Sequence, residues 1–168
     1  MRTDWAGKIA ALAWIAAAVA YAGVVRADSA RAALDDLFTR STLQIATSDA
    51  RLHAFEVWVA DNDRRRARGL MYVERLDDDE GMLFVYPKAQ PISMWMKNTR
   101  IALDMLFVRG DGRIERVVEN TTPMSLETID SGAPVTAVIE LKAGTAAKLK
   151  IRPGALVIHP AFSQSSGR

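Results

Sequence analysis

Residues 92–108 read I-S-M-W-M-K-N-T-R-I-A-L-D-M-L-F-V, and no other stretch of the chain combines strand patterning with ionisable groups at a fixed offset. Side chains of a strand alternate between its two faces. A hairpin turning at Thr99-Arg100 sets Met96 against Leu103, Trp95 against Asp104 and Met94 against Met105. One face then carries Met94, Met96, Asn98, Ile101, Leu103, Met105 and Phe107, and the other Ser93, Trp95, Lys97, Ala102 and Asp104. The first is a core face, and the second is polar enough for chemistry.

Outward from this stretch the pattern stays that of a β domain. Residues 43–47 and 51–60 alternate and are rich in branched and aromatic side chains, with turn residues Thr47-Ser48-Asp49 between them. Asp61-Asn62-Asp63 offers a helix N-cap, after which Ala67, Leu70 and Met71 share one face and Arg64, Arg65 and Arg68 another. The apolar run 82–86, bounded by Gly81 and Pro87, reads as a buried strand. Beyond the central stretch, Asp111-Gly112 signals a hairpin that returns residues 113–120. Residues 121–134 form a long loop with one short edge strand near 128–130. Residues 135–141 are a strand, 143–150 a turn or two of helix, and 155–159 a last strand. Short strands without a strand–helix rhythm predict a mainly β fold: a single antiparallel sandwich or partly open barrel, jelly-roll-like, with one or two short helices.

The N-terminus has a different character. Residues 9–25 are an uninterrupted apolar run preceded by Arg2 and Lys8, which predicts a secretory signal peptide over 1–27, cleaved after Ala27. The alternative is an uncleaved anchor, because 17 apolar residues lie at the short limit of a spanning helix. Either reading exports the chain to the periplasm or beyond, and the only membrane contact expected is through residues 9–25 if they are retained. Residues 28–42 are expected to be a tether or poorly ordered segment, 43–160 the β domain, and 161–168 a flexible tail. Removing residues 1–27 takes away Arg2, Lys8, Arg26 and Asp4, which leaves 19 basic and 19 acidic residues. A neutral domain has no global basic surface for a nucleic acid. The chain has no cysteine, so disulfides, thiol chemistry and cysteine-based metal sites are excluded.

Three segments, Arg68-Gly69-Leu70-Met71, Gly81-Met82-Leu83-Phe84 and Trp95-Met96-Lys97-Asn98-Thr99, are followed by Leu103-Asp104-Met105 and Asp111-Gly112. Together with Glu140-Leu141, Ala143-Gly144 and Gly154 in order, they resemble an exported conserved domain family of unknown function, DUF192. The resemblance spans roughly residues 43–160. It implies a compact, mainly β domain of jelly-roll character, usually secreted or membrane-anchored, and no activity. The chain departs from the family's pattern at Ile92-Ser93, where an apolar approach to Trp95 is usual.

The residues themselves favour a binding module over an enzyme. Lys97 and Asp104 lie diagonally across the expected hairpin with Trp95 opposite Asp104, so a small polar or anionic ligand, or a partner's segment, could stack on the indole between fixed charges. Arg68 could add an anion clamp, and Asn98 a further polar group. The bland counterpart is a cross-strand ion pair beside a packed Trp and a solvated Arg face. Two rival readings remain open. One is a hydrolase using Asp104 and Glu140 as acid and base, whose separation the spacing does not give. The other is a copper handler built on Met71, Met82, Met94, Met96, Met105 and Met124, against which stands ordinary core packing of methionine. His53 and His159 sit in separate strands and are better read as locally hydrogen-bonded than as ligands. No metal and no cofactor is expected, and the partners expected are a small polar ligand or another exported protein.

Overall fold

The computed structural model describes residues 31–165, and the predicted signal peptide over 1–27 lies outside them. Residues 31–37 form helix α1. It is followed by β1 (Thr39–Ala46), β2 (Leu52–Ala60), α2 (Asp63–Arg68), β3 (Glu80–Gln90) and β4 (Ser93–Met94). The chain continues through β5 (Leu103–Val108), β6 (Ile114–Val118), β7 (Ile129–Asp130), β8 (Val135–Lys142), α3 (Thr145–Leu149) and β9 (Leu156–Ile158), ending in a 3-10 turn over Pro160–Ser165. No described helix is long and apolar enough to cross a membrane.

Seven strands form one sheet in the order β6-β5-β8-β3-β2-β1-β9. The sheet curls until its edges meet: Leu156 bridges to Arg113, and the N–H of Val157 reaches the Gly112 carbonyl at 2.8 Å. The fold is therefore a mainly β, nearly closed barrel. Its neighbouring strands are antiparallel except β2 and β3, which run parallel with Glu56 opposite Glu80. A parallel pair needs a crossover. Residues 61–79, with α2, supply it and lie over the outside of the sheet.

Alternation along the strands creates two apolar layers. Leu43, Ile45, Phe55, Val57, Leu83, Leu106, Ile139 and Val157 fill the barrel. Trp58, Met82, Phe84, Leu103, Met105, Phe107 and Val138 point outward and are covered by Leu34, Phe38, Leu70, Val73, Ile92 and Met96. β5 is buried at all six positions because both its faces meet a layer.

Three expectations are corrected. The hairpin at Thr99-Arg100 does not form: β5 pairs with β8 from Leu103↔Lys142 to Val108↔Ala137 and with β6, while β4 pairs with β7. A six-residue ladder on β8 outweighs a tight turn at Thr99-Arg100 that has no glycine or asparagine to supply positive φ. The core set Met96, Leu103, Met105 and Phe107 nonetheless shares the outer layer. Second, residues 31–42 are no loose tether. Leu34 is 1% exposed, the Trp58 indole donates to Asp35 at 2.7 Å, and Arg31 is paired with Asp77 and Glu80. Third, Phe162, in the expected flexible tail, packs against the barrel interior.

Candidate functional site

The site is assembled by two turns on the outer layer. Asn62 caps α2, its side-chain oxygen accepting the Arg65 N–H at 3.0 Å, and the helix stops at Gly69 with φ +45°. A Cβ there would sit 3.2 Å from the Phe84 ring, so both the reversal and the close approach to β3 favour glycine. Leu70 drops into the outer core, and Tyr72 donates its N–H to the Asn98 carbonyl at 2.9 Å. The Asn98 side-chain nitrogen in turn contacts the Met71 sulfur at 3.8 Å. The turn at 69–72 is thereby buttoned to the turn at 96–99, and Arg68 is brought beside Trp95 and Lys97.

Between these turns and strands β3, β4 and β8 lies a pocket of about 200 Å³ lined by Arg66, Arg68, Tyr86, Trp95, Lys97 and Glu140 among others. Arg66 is committed, donating to the Val85 carbonyl and to Asp63, both at 2.6 Å, with its guanidinium 5.0 Å from the Tyr86 ring. Among the described residues Arg68 donates only to the carbonyls of Gly69 and Met71, and burial pulls its pKa down. Lys97 rests 5.4 Å from the Trp95 ring centre, and Trp95 is 51% exposed at the rim. Among the described residues no carboxylate forms an ion pair with Arg68 or Lys97, which leaves two cations for a ligand.

Glu140 belongs to the same pocket and is 4% exposed. Its ladder partners are Met82 on β3 and Met105 on β5, both fully buried. Among the described residues its Oε2 has no hydrogen-bond partner. Burial pushes this carboxyl up to about 8, so at pH 7 it is a neutral acid holding a proton it can donate. Burial raises the Tyr86 phenol as well.

Of the residues expected at a site, Arg68, Trp95 and Lys97 come together, and Asn98 holds the turns in place instead of lining the pocket. Asp104 does not join them. It is 0% exposed, and its two oxygens accept the N–H groups of Asn120 at 2.9 Å and Ala146 at 2.8 Å, fixing a loop and the start of α3. The Lys97–Asp104 diagonal required the hairpin that β8 displaces. Asp104 also cannot pair with Glu140 in a hydrolase. It alternates with Leu103 and Met105, which face outward, whereas Glu140 alternates with Ile139 and Leu141, which face inward, so the two carboxyls lie on opposite sides of the sheet. Met96 and Met105 are enclosed in the outer core, and the Met96 sulfur already meets the Thr121 hydroxyl at 3.2 Å, which removes them from a copper site. His159 is held by Ser41 at 2.9 Å.

The sequence reading missed Arg66 and Tyr86 and gave Glu140 the wrong partner. The signal for Glu140 was available as one carboxylate inside the apolar run Val138-Ile139-Glu140-Leu141. Charge at such a position is costly unless paired or neutralised.

The family model DUF192, described as Uncharacterized ACR, COG1430, matches residues 44–159. A solved structure from Sinorhizobium meliloti 1021, described as a "putative transcription regulator", is 39% identical, with a TM-score of 0.73 over 74% of this chain and 96% of that chain. A protein of unknown function from Novosphingobium aromaticivorans DSM 12444 is 32% identical, with a TM-score of 0.69 over 71% of this chain and 85% of that one. No curated protein matches the chain.

Proposed function

Because this chain belongs to the DUF192 family, whose description assigns no chemistry, we propose from its own pocket that it is a binding module for a small anionic ligand. The observation that carries this reading is the meeting of two cations, Arg68 and Lys97, without carboxylate partners among the described residues, with an exposed indole over one pocket. Arginine grips an oxyanion through its planar fork, lysine adds a point charge, and Trp95 covers the ligand's apolar body. At about 200 Å³ the pocket falls below the range of roughly 300 Å³ upward where drug-sized ligands sit, so the occupant is small. With the secretory reading of residues 1–27, capture would take place in the periplasm or outside the cell. The regulator description of the Sinorhizobium relative is not carried over, since residues 28–168 carry equal numbers of acidic and basic side chains.

A thermal-shift screen of small carboxylates, phosphates, sulfate and sugars against the wild type, Arg68→Ala and Lys97→Ala tests this. Ligand binding to the native state raises the melting temperature by mass action. A rise confined to anions and reduced in both variants is expected; no rise with any compound, or an equal rise in all three proteins, contradicts it.

A further inference from the structure

Glu140 is the one carboxyl among the residues lining the pocket, and no imidazole lines it. The remaining titratable groups that face it are Arg66 and Arg68 from the end of α2, Tyr86 from β3 and Lys97 from the turn after β4; Lys142, farther along β8, is exposed and tied to Asp78 at 2.7 Å. A buried carboxyl oxygen with no partner among the described residues, when it carries the acid proton, either leaves that O–H unsatisfied or donates it to a visitor. Phe84, Leu70, Met71 and Met94 supply an apolar part of the lining beside the hydroxyl residues Ser93 and Thr99, which suits a ligand with a short hydrocarbon body and one polar end. As an acid Glu140 offers a single O–H, which one carboxylate oxygen satisfies.

Resting on the anion-binding reading above, we infer that the pocket takes a small monocarboxylate, with the protonated Glu140 donating its O–H to one carboxylate oxygen while Arg68 and Lys97 offset the charge. The ligand is then held together with a proton. When Glu140 starts ionised, capture takes one proton from solvent onto its carboxylate; no covalent bond forms or breaks. Ionised Glu140 would instead face the ligand's own negative charge at the bottom of the pocket, so the anion is released as the site loses its proton. Raising of the Glu140 pKa by burial supports this by keeping the acid form at neutral pH.

The test is calorimetric titration of the purified wild-type chain and Glu140→Gln with acetate, butyrate and benzoate from pH 6 to 9.5, with inorganic phosphate alongside. In the wild type, affinity should hold below pH 8 and then fall about tenfold per pH unit. Glutamine is a permanent donor, so Glu140→Gln should bind with affinity nearly flat across the same range. Should that variant not fold, the wild type alone decides. In two buffers of different ionisation enthalpy near pH 8, binding should take up about half a proton per ligand. No carboxylate binding at any pH together with no phosphate binding overturns the binding reading itself. Phosphate bound in preference to carboxylates overturns the ligand class. Carboxylate binding without proton uptake, or with the same pH profile in both proteins, overturns the role of Glu140 and leaves the anion site standing.

Discussion

Two buried carboxyls on the neighbouring strands β5 and β8 behave in opposite ways because of what surrounds their oxygens. Asp104 has two backbone N–H donors and serves as internal scaffolding; Glu140 has an oxygen with none. Asp104→Ala should therefore leave the buried Ala146 N–H unsatisfied, while the part-buried Asn120 N–H can turn to water, and cost roughly 1 to 3 kcal/mol by denaturant titration. For Glu140 the consequence is pH dependence. Its folded pKa, about 8, lies above the ordinary 4.5. The folded state thus holds a proton that the unfolded state has released between those values, and stability falls as pH rises through that window, by up to roughly 1.4 kcal/mol per pH unit. Below pH 4.5 and above 8 this contribution is level. Glu140→Gln removes the ionisation, so its melting temperature at pH 8 should exceed that of the wild type, and the difference should vanish near pH 4.5.

At the level of elements, the site depends on how closely β3 and β8 run and on what covers them. Gly81 on β3 faces β8 so tightly that a Cβ would lie 2.5 Å from the Glu140 carbonyl oxygen and 2.8 Å from a Leu141 methyl. Gly81→Ala must push the strands apart at the ladder that carries Glu140. It should lower stability by roughly 1 to 3 kcal/mol, as overpacking does, and its amide spectrum should change along β8. α1 covers the other end of the outer layer, so Leu34→Ala should cost a core-sized amount of roughly 2 to 5 kcal/mol in chemical denaturation; a loose tether would cost almost nothing. Most strands were legible because alternation and turn residues act locally: Asp111-Gly112 does join β5 to β6. The central stretch was legible only in its faces. Which strand β5 pairs with is decided by β8, whose residues lie 29 to 39 positions along the chain from their partners, and no local pattern carries that choice. Arg68, Trp95 and Lys97 could be named from their types, but their meeting depends on the Tyr72–Asn98 bond between distant turns.

For the molecule as a whole, a barrel with a filled interior leaves binding to its outer layer, where long connections over a rigid sheet make the pocket. A larger cleft of about 440 Å³ at the barrel's end, lined by Arg113, Lys150 and Arg152, competes for an anion. Two of its three cations are already paired with carboxylates, Arg152 with Glu119 at 2.5 Å and Lys150 with Asp49 at 3.7 Å, while Arg113, like Arg68, donates only to backbone carbonyl among the described residues, that of Gly154 at 3.1 Å. An NMR titration of the labelled chain with benzoate separates the two locations directly. The expected result is that the Trp95 indole and the amides of residues 68–72 and 95–99 shift in a saturable way, while the Trp58 indole, tied to Asp35, stays still. Shifts confined to residues around Arg113 and Lys150, or no saturable shift anywhere, would contradict the assignment of anion binding to the Arg68, Trp95 and Lys97 pocket.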